Sequence, residues 1–529
     1  MIVLCLLSLR ISPLISTTDT ISSSPNTADD YFIQPSQGNP QTIKEDAFTI
    51  DLHGNQSLEP WVNLNTTRTF HLFDPAKIPP FMLEYFQWHR QQLELLHSGQ
   101  RSWEPEYSHT NSSNRTNGNR YDDKPLVTSP RFLIMRCIDG DRCGGTSDRL
   151  KAFPLFLFLA KQSQRILLIR WGRHRPFPLE SFMKPGPMWN WTVPRPLLKV
   201  LQAEEERDGS KRDNTTTSNT APLQRFTDQT LKSQTVYFDG TRFNRLLASI
   251  HDPTIWVVEG NDFSGGATRY NNMLTKELSR NQTMYNLRPE DADYLNFYHH
   301  VFHASFQPSS AVENLLKAYI EVDDTNNEVD GTNNKSDHDL DRPSLPMKLQ
   351  PNRYMAAHYR AKFPGEPYRE TWNVTILEKT ALHAVECARS RAPSLSDIYV
   401  ASDTALAIEA VHSVYSAQSE TTRQSPRQDG NNWVNVWTYL DVQEYEGEKT
   451  KDHLAVDPPH LNFAQLEDPS GFYGIFVDLF LMSYSFCVVY GAGGFGRFGS
   501  LVSFQPWCGI PFTRQNGVLQ DCPQHDEGK

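Results

Sequence analysis

Several features that mark common protein classes are missing from this chain of 529 residues. No apolar run approaches the roughly 20 residues that a helix needs to cross a bilayer. A formal net charge of −11 argues against an extended nucleic-acid-binding face, although a small basic pocket stays compatible with it. No Gly-Lys-Ser/Thr follows a glycine-rich turn, which excludes a P-loop, and no Cys-x-x-Cys pair supports a zinc site.

What is present indicates a folded protein of more than one domain. The sequence contains 11 Trp, 20 Tyr and 29 Phe, an aromatic content that a wholly disordered chain does not carry. A chain of this length exceeds the usual size of a single hydrophobic core. We therefore expect two globular domains together with tails or linkers.

The N-terminus and the glycosylation acceptors predict the lumen of the secretory pathway, in the Golgi or the endoplasmic reticulum. Residues 1–16 contain a short apolar run that suits a signal peptide or a short anchor, although the positive n-region is missing and an ordinary apolar N-terminus is the alternative. Asn-x-Ser/Thr occurs nine times, an excess over chance that is only suggestive. The acceptors are Asn55, Asn65, Asn111, Asn114, Asn190, Asn214, Asn281, Asn334 and Asn373.

The seven cysteines also fit an oxidising compartment. Cys5 would leave with a signal peptide, and two pairs of the remaining cysteines are close enough in sequence to close small loops. Two others lie inside a predicted helix and a predicted strand, where they resemble buried apolar residues. We predict the disulfides Cys137–Cys143 and Cys508–Cys522 and buried thiols at Cys387 and Cys487.

The order of apolar runs and polar stretches predicts two parallel α/β domains. Strands at 131–137 and 165–171 flank a helix at 147–163, a βαβ unit in which Pro154 should kink the helix. Strands and helices alternate again from 353 onward. The predicted divisions are a stem at 17–124 with a helical segment near 81–96 and a flexible linker, an α/β domain at 125–322 with a disordered insertion near 203–222, a disordered linker at 323–349, and a second α/β domain at 350–529. Two Rossmann-like domains would face each other across a cleft lined by the carboxyl ends of strands.

A glycine-containing loop follows the first strand of that βαβ unit. In the run Cys143-Gly-Gly-Thr-Ser-Asp-Arg149, glycines allow close approach of a ligand, and helix N-terminal N–H groups favour anions or hydroxyl groups. The alternative is that Gly144, Gly145 and Ser147 only build a tight turn and a helix cap. Asp139 and Asp141, just before, form the one Asp-x-Asp pair placed for a metal, but we interpret them as solvated loop acids.

Two strands of the second domain end in polar residues. Tyr354-Met-Ala-Ala-His-Tyr-Arg360 ends in an arginine, whose planar fork can pair with a diphosphate, and Lys362 follows closely. Asp397-Ile-Tyr-Val-Ala-Ser-Asp403 places a hydroxyl and a carboxylate at the end of the next strand, where they could bind a nucleoside or cap a helix. An exposed arginine and a core histidine at 358 are the plain structural alternatives.

A second glycine-rich turn, Gly491-Ala-Gly-Gly-Phe-Gly496, has the G-x-G-x-x-G form of dinucleotide-binding proteins. A Rossmann unit needs a helix, a strand and an acidic residue about 20 positions further on, and this context does not follow in the sequence. A phosphate-binding nest of backbone N–H groups is therefore the preferred interpretation. A nicotinamide-dependent oxidoreductase is kept as an alternative.

Taken in order, these segments resemble the fucosyltransferases of the protein O-fucosyltransferase and core N-glycan types. The loop after 143 with its helix and strand is similar to their N-terminal glycine loop, and His358-Tyr-Arg360 is similar to their His-x-Arg motif. The strand ending in Asp403 and the run Val477–Gly491 resemble their later motifs. The resemblance covers about 130–172 and 350–505.

The resemblance implies a GT-B-like fold and an inverting, metal-independent transfer of fucose, or a related sugar, from GDP-fucose to a glycan or protein hydroxyl. It makes 125–322 the acceptor-side domain and 350–529 the nucleotide-sugar-binding domain. It implies that Arg360 holds the β-phosphate, that His358 lies beside the nucleotide, and that Asp403 contacts the guanosine. Gly145, Ser147 and Asp148 would face the sugar, and Asp148 is our candidate for the catalytic base. The remaining donor-binding candidates are Gly144, Lys362, Ser402, Gly493, Gly494, Phe495, Gly496 and Arg497.

The sequence departs from the family pattern at two places. Ala361-Lys-Phe stands where the family has Arg-Gly-Asp, and Gly493-Gly-Phe-Gly-Arg497 replaces a loop rich in serine. A catalytically inactive carbohydrate-binding protein of the same fold is therefore a further alternative. We expect no metal or cofactor and no nucleic acid. The expected partners are a nucleotide-sugar donor and a glycan or glycoprotein acceptor, with membrane contact only through an N-terminal anchor.

Overall fold

A computed structural model describes residues 72–101, 130–137, 145–172, 177–199, 201–202, 223–226, 255–259, 267–320, 348–360, 374–422, 435–438, 468–491, 493–513 and 519–522. These residues all belong to one compact unit, Pro60–Lys529. The predicted signal peptide or anchor, the predicted insertion at 203–222 and nearly all of the predicted linker at 323–349 lie outside the described residues. The domain boundaries proposed from the sequence therefore stay predictions.

Helices and strands alternate along the described chain. The helices are α1 (Pro80–His97), α2 (Thr146–Leu150), α3 (Phe153–Ser163), α4 (Ala267–Arg280), α5 (Tyr294–Ser305), α6 (Ser310–Leu316), α7 (Val374–Arg391), α8 (Ala405–Thr422), α9 (Tyr473–Tyr484) and α10 (Gly494–Val502). The strands are β1 (Phe132–Cys137), β2 (Ile166–Trp171), β3 (Met183–Pro185), β4 (Leu223–Phe226), β5 (Ile255–Glu259), β6 (Phe306–Pro308), β7 (Tyr354–Tyr359), β8 (Asp397–Ser402), β9 (Asn435–Trp437), β10 (Cys487–Tyr490) and β11 (Ile510–Pro511).

The N-terminal half contains a four-stranded parallel sheet in the order β2-β1-β5-β4. All six side chains of β1 and all six of β2 are buried, which explains why both read as continuous apolar runs in the sequence. The predicted βαβ unit is confirmed, but its helix is split in two. Pro154 lies in the first turn of α3, where its missing N–H removes no helical hydrogen bond, so α2 ends before it.

The C-terminal half contains a five-stranded sheet in the order β11-β10-β7-β8-β9, again with parallel pairing throughout. The central strand β7 pairs with β10 on one side and β8 on the other, so three strand ends meet at one edge of the sheet. That edge carries Arg360, Asp403 and Gly491. The predicted parallel α/β character of both halves is confirmed.

Helix α1 is part of the folded core, which corrects its assignment to a stem. Its buried face includes Phe81, Met82 and Phe86, which belong to the main hydrophobic cluster. The Tyr85 hydroxyl donates to the carbonyl of Arg165 (3.0 Å) and accepts from the N–H of Leu167 (2.9 Å). The apolar periodicity revealed the helix, but only the tertiary contacts show that it completes the N-terminal half.

One hydrophobic cluster contains residues of both halves. Phe182 stacks on Phe476 of α9 with ring centroids 4.3 Å apart. The rings of Phe302 in α5 and Phe498 in α10 have centroids 6.0 Å apart. Such aromatic contacts stabilise the association beyond simple area burial. Within the described residues, no helix combines the length and the apolar character that a bilayer crossing requires.

The disulfide pattern differs from the predicted one. Cys387 pairs with Cys522, and Cys487 pairs with Cys508. The predicted Cys508–Cys522 bond and the two predicted thiols at Cys387 and Cys487 are therefore wrong. Proximity in sequence misled the prediction, because β10 and α7 bring both supposed thiols next to the C-terminal segment. Cys137 is disulfide-bonded as well. Cys143 lies outside the described residues, so the Cys137–Cys143 pair stays a prediction.

Candidate functional site

Helix α2, which comes after β1, touches the start of α10, which comes after β10, where the two halves meet. A Cβ added to Gly494, the first residue of α10, would lie 2.9 Å from Ser147 Oγ, 3.1 Å from Lys151 Nζ and 3.3 Å from Asp148 Oδ1. A side chain at this position would have to displace these polar groups. The structure thus brings together the two glycine-rich motifs that the sequence suggested.

On the N-terminal side, Asp148 organises its own turn. Its Oδ2 accepts a hydrogen bond from the N–H of Gly145 (3.2 Å), and its Oδ1 forms an ion pair with Lys151 Nζ (3.0 Å). Ser147 is 3% exposed and Lys151 is 6% exposed. The sequence reasoning missed Lys151, although its position three residues after Asp148 on a helix is a recognised ion-pair spacing. Gly144 lies outside the described residues.

On the C-terminal side, Arg360 lies directly against the turn after β10. A Cβ on Gly493 would lie 2.7 Å from Arg360 Cδ and 2.9 Å from Arg360 Nη1. Gly493 has φ +105°, a conformation that favours glycine, so both its backbone and its lack of a side chain are used here. The N–H of Gly491 donates to the carbonyl of His358 (2.9 Å), which joins the turn to the end of β7.

His358 lies under the same turn and is only 5% exposed. Its Nδ1 atom has no hydrogen-bond partner among the described residues, and a Cβ on Gly496 would lie 2.6 Å from it. The ring of Phe495 packs 5.3 Å from the imidazole, centroid to centroid. Burial, together with the charge of Arg360, lowers the pKa of His358 to about 3, so the ring is neutral at physiological pH.

The other predicted donor-binding residues lie at varying distances from this junction. Ser402 is buried, and its Oγ accepts from the N–H of Thr404 (3.3 Å) in the turn just before α8. Asp403 is close enough to Tyr359 to help raise the pKa of that phenol to about 12, mainly an effect of burial. Arg497 is exposed and lowers the pKa of Tyr490 against the raising effect of burial. Lys362 lies outside the described residues.

The turn at 491–496 has more of a dinucleotide-binding context than the sequence indicated. After it, α10 leads into β11, which pairs in parallel with β10. That strand has only two residues, Ile510 and Pro511, and no acidic residue follows at the expected distance from the turn. The phosphate-binding interpretation of this turn stays a prediction.

A possible cation-binding group lies away from this junction. His383, Cys387 and Cys522 place one potential ligand atom each within 4.8 Å of one another, but the two cysteines are joined as a disulfide. Asp139 and Asp141, the predicted acidic pair, lie outside the described residues. The expectation of a metal-independent site stays a prediction.

Two of the predicted glycosylation acceptors are described, and both are half-buried with their side chains engaged. Asn190 Oδ1 accepts from the hydroxyl of Thr192 (2.7 Å), and Asn281 Nδ2 donates to Glu277 Oε1 (2.8 Å). Whether either residue carries a glycan stays a prediction. The other seven acceptors lie outside the described residues.

Comparisons with known proteins place fucosyltransferases among the similar structures. FUT1 of Arabidopsis thaliana, an arginine-to-lysine mutant in complex with GDP, has a TM-score of 0.42 and 12% identity, covering 86% of this chain and 84% of that one. POFUT1 in complex with GDP has a TM-score of 0.29 and 12% identity over 73% of this chain and 99% of that one. POFUT1 in complex with GDP-fucose has a TM-score of 0.29 and 10% identity, over 73% and 98%.

At these TM-scores the similarity supports no further conclusion, and the α/β architecture follows from the strand order and register given above. No protein-family model matches the chain. No curated protein matches it in sequence.

Proposed function

We propose that this chain is a glycosyltransferase that uses a nucleoside-diphosphate sugar, with GDP-fucose as the preferred donor. The diphosphate would lie at the turn formed by Gly493, Gly494 and Gly496. The acceptor would be a hydroxyl group of a glycan or of a glycoprotein. The transfer would proceed with inversion and without a metal ion.

The observation that carries the proposal is the position of Arg360 against Gly493, at the N-terminus of α10. A helix N-terminus presents N–H groups and a positive dipole end, which suit an anion. The buried Nδ1 of His358, which lacks a partner among the described residues, lies under the same turn. The turn after β10 therefore lies next to the guanidinium of Arg360, the N–H groups that begin α10 and the Nδ1 atom of His358.

The chemistry of sugar transfer needs this kind of site. As the bond between the sugar and the diphosphate breaks, negative charge develops on the leaving oxygen. In the absence of a divalent cation, fixed donors have to stabilise that charge, and removal of one such donor commonly costs about 2.7–4 kcal/mol of transition-state stabilisation. The neutral His358 leaves the positive charge of the site on Arg360 and its neighbours, and a lumenal location suits an oxidised, disulfide-bonded chain.

Calorimetric titration of GDP in the presence of EDTA tests the proposal. We expect the wild-type chain to bind GDP in EDTA and Arg360→Ala to weaken that binding by roughly 100-fold, in line with the loss of one charged donor. Arg353→Ala is the matched control, because Arg353 is exposed and precedes the opposite end of β7. It should bind GDP as the wild type does.

Equal GDP affinity in the wild type and in Arg360→Ala would refute the site assignment. Loss of binding in EDTA would refute metal independence. Enhanced NAD(P)H fluorescence on mixing, without GDP binding, would favour the oxidoreductase alternative. GDP binding with no sugar transfer across a panel of donors and acceptors would favour the non-catalytic alternative.

A further inference from the structure

Lys151 occupies an unusual position for a lysine. It is 6% exposed, whereas lysine side chains are seldom buried. Its backbone is held from two sides: its N–H donates to the carbonyl of Ser147 (2.9 Å), and its carbonyl accepts from the Tyr298 hydroxyl (2.8 Å). These two bonds fix the backbone of Lys151, and the ion pair with Asp148 (Nζ to Oδ1, 3.0 Å) holds its ammonium group.

The ammonium of Lys151 lies next to the N-terminus of a helix. Its Nζ would be 3.1 Å from a Cβ on Gly494, the first residue of α10. A cation is unfavourable at this end of a helix, because the dipole there is positive. Arg360 lies against the preceding residue, Gly493, so a second positive charge is close by. Two cations and a positive helix end around one turn form a site that attracts an anion.

The contacts of Asp148 suit a residue that positions the lysine. One of its oxygens accepts from Gly145 N–H and the other pairs with Lys151, so both are already in use. A general base needs an oxygen that can reach the acceptor hydroxyl. The contacts of Asp148 instead fix the turn and the lysine head relative to each other.

From this arrangement we infer that Lys151 is a second cation for the diphosphate of the donor, opposite Arg360, and that Asp148 is the residue that positions it. This inference rests on the proposed function, because it assigns a ligand group to the same turn. The ligand class is a nucleoside diphosphate, recognised through its phosphates by one guanidinium and one ammonium. The catalytic base is then a residue other than Asp148.

Binding of a ligand series tests the inference. Calorimetry with GDP, GMP and guanosine would be done on the wild type, Lys151→Met and Lys151→Gln. We expect both variants to weaken GDP binding at least 10-fold, GMP binding less, and guanosine binding not at all. Lys151→Arg should restore most of the GDP affinity, because it keeps a donor cation. A lysine with only a structural role would not produce this dependence on the number of phosphates.

Lys161→Met is the matched control, because Lys161 lies on α3 and pairs with Glu84 away from the turn. It should leave all three affinities unchanged. The inference is overturned if Lys151→Gln binds GDP as tightly as the wild type, or if guanosine binding falls equally. If either outcome is found while Arg360→Ala still binds GDP more weakly than the wild type, the proposed function stands and only the role of Lys151 is refuted. A wild type that binds no GDP would refute both the proposed function and this inference.

Asp148→Asn separates positioning from base catalysis. The amide oxygen can still accept from Gly145, so the turn is kept, while the charge that holds Lys151 is lost. We expect GDP affinity to change by more than 3-fold and the pH profile of sugar transfer to keep its acidic limb. Unchanged GDP affinity together with loss of that limb would assign Asp148 as the base and overturn its positioning role.

Discussion

The two halves of the molecule present similar turns at the ends of parallel strands but secure them by different means. In the N-terminal half, helix α1 packs on β2 and α3. Its side chains Tyr85 and His89 form hydrogen bonds with backbone groups at the start of β2. In the C-terminal half, two disulfides tie α7 and β10 to the segment after α10. One half is completed by a docked helix, the other by covalent links.

The turns differ in the same way. The N-terminal turn is organised by charged side chains, Asp148 and Lys151, whereas the C-terminal turn has glycines and borrows its cation from the end of β7. Because Gly494 has no side chain, the two turns come within contact distance, and the Asp148–Lys151 ion pair lies against the backbone of Gly494. The comparison shows that one half supplies shape at the junction and both halves supply charge.

The disulfides of the C-terminal half should give the largest effect on stability. Replacement of both Cys387 and Cys522 by Ala releases a loop of 135 residues, against 21 for the bond between Cys487 and Cys508. On the chain-entropy account, the free energy of unfolding should fall by about 5 kcal/mol for the first pair and about 3 kcal/mol for the second. Guanidinium unfolding of the two double variants measures both values.

Peptide mapping of the non-reduced wild type provides the control for that experiment. It should yield cross-linked fragments that join Cys387 to Cys522 and Cys487 to Cys508. A fragment joining Cys508 to Cys522 would restore the pairing expected from the sequence. Equal losses in the two double variants would contradict the dependence on loop length.

In the N-terminal half, Tyr85→Phe should give a smaller but clear effect. The change removes one hydroxyl that satisfies two buried backbone groups, the carbonyl of Arg165 and the N–H of Leu167. Unfolding should become easier by about 1–3 kcal/mol, since a buried unsatisfied group costs about that much. Thermal or denaturant unfolding measures this loss of stability.

Tyr473→Phe is the matched control, because Tyr473 of α9 is only half-buried. It should change the free energy of unfolding by less than about 0.5 kcal/mol.

A third and smaller effect should depend on pH. Burial raises the pKa of Asp478 from its ordinary value of 3.8 to about 7, and the hydroxyl of Tyr399 donates to its carboxylate (2.5 Å). Between about pH 4 and pH 7 the folded chain therefore holds a proton that the unfolded chain has lost. The protonated carboxyl group of Asp478 therefore contributes to the free energy of unfolding in full below about pH 4. This contribution is lost as the pH rises through about 7.

Asp478→Asn removes that titration while keeping an acceptor for Tyr399. The wild type should lose stability from pH 4 to pH 7 relative to this variant, as measured by unfolding at matched ionic strength. Parallel pH curves for the two proteins would show that Asp478 titrates normally in the folded chain.

Most of the secondary structure could be predicted from the sequence, because buried parallel strands read as continuous apolar runs. The strands predicted at 131–137 and 165–171 begin one residue later in the structure and end where predicted. The positions of Arg360 and of the turn after β10 followed from strand ends. The helices between 267 and 316 escaped prediction, since no motif marked them.

Local patterns by themselves determined which segments form strands, where glycine and proline interrupt them, and which polar residues stand at the strand ends, because these depend on neighbours in the chain. The tertiary structure alone decided which cysteines pair, that α1 belongs to the core, and that Lys151 meets Gly494 across 343 residues of sequence. Contacts between residues so far apart arise from sheet order and shared core packing, and neither leaves a local signal.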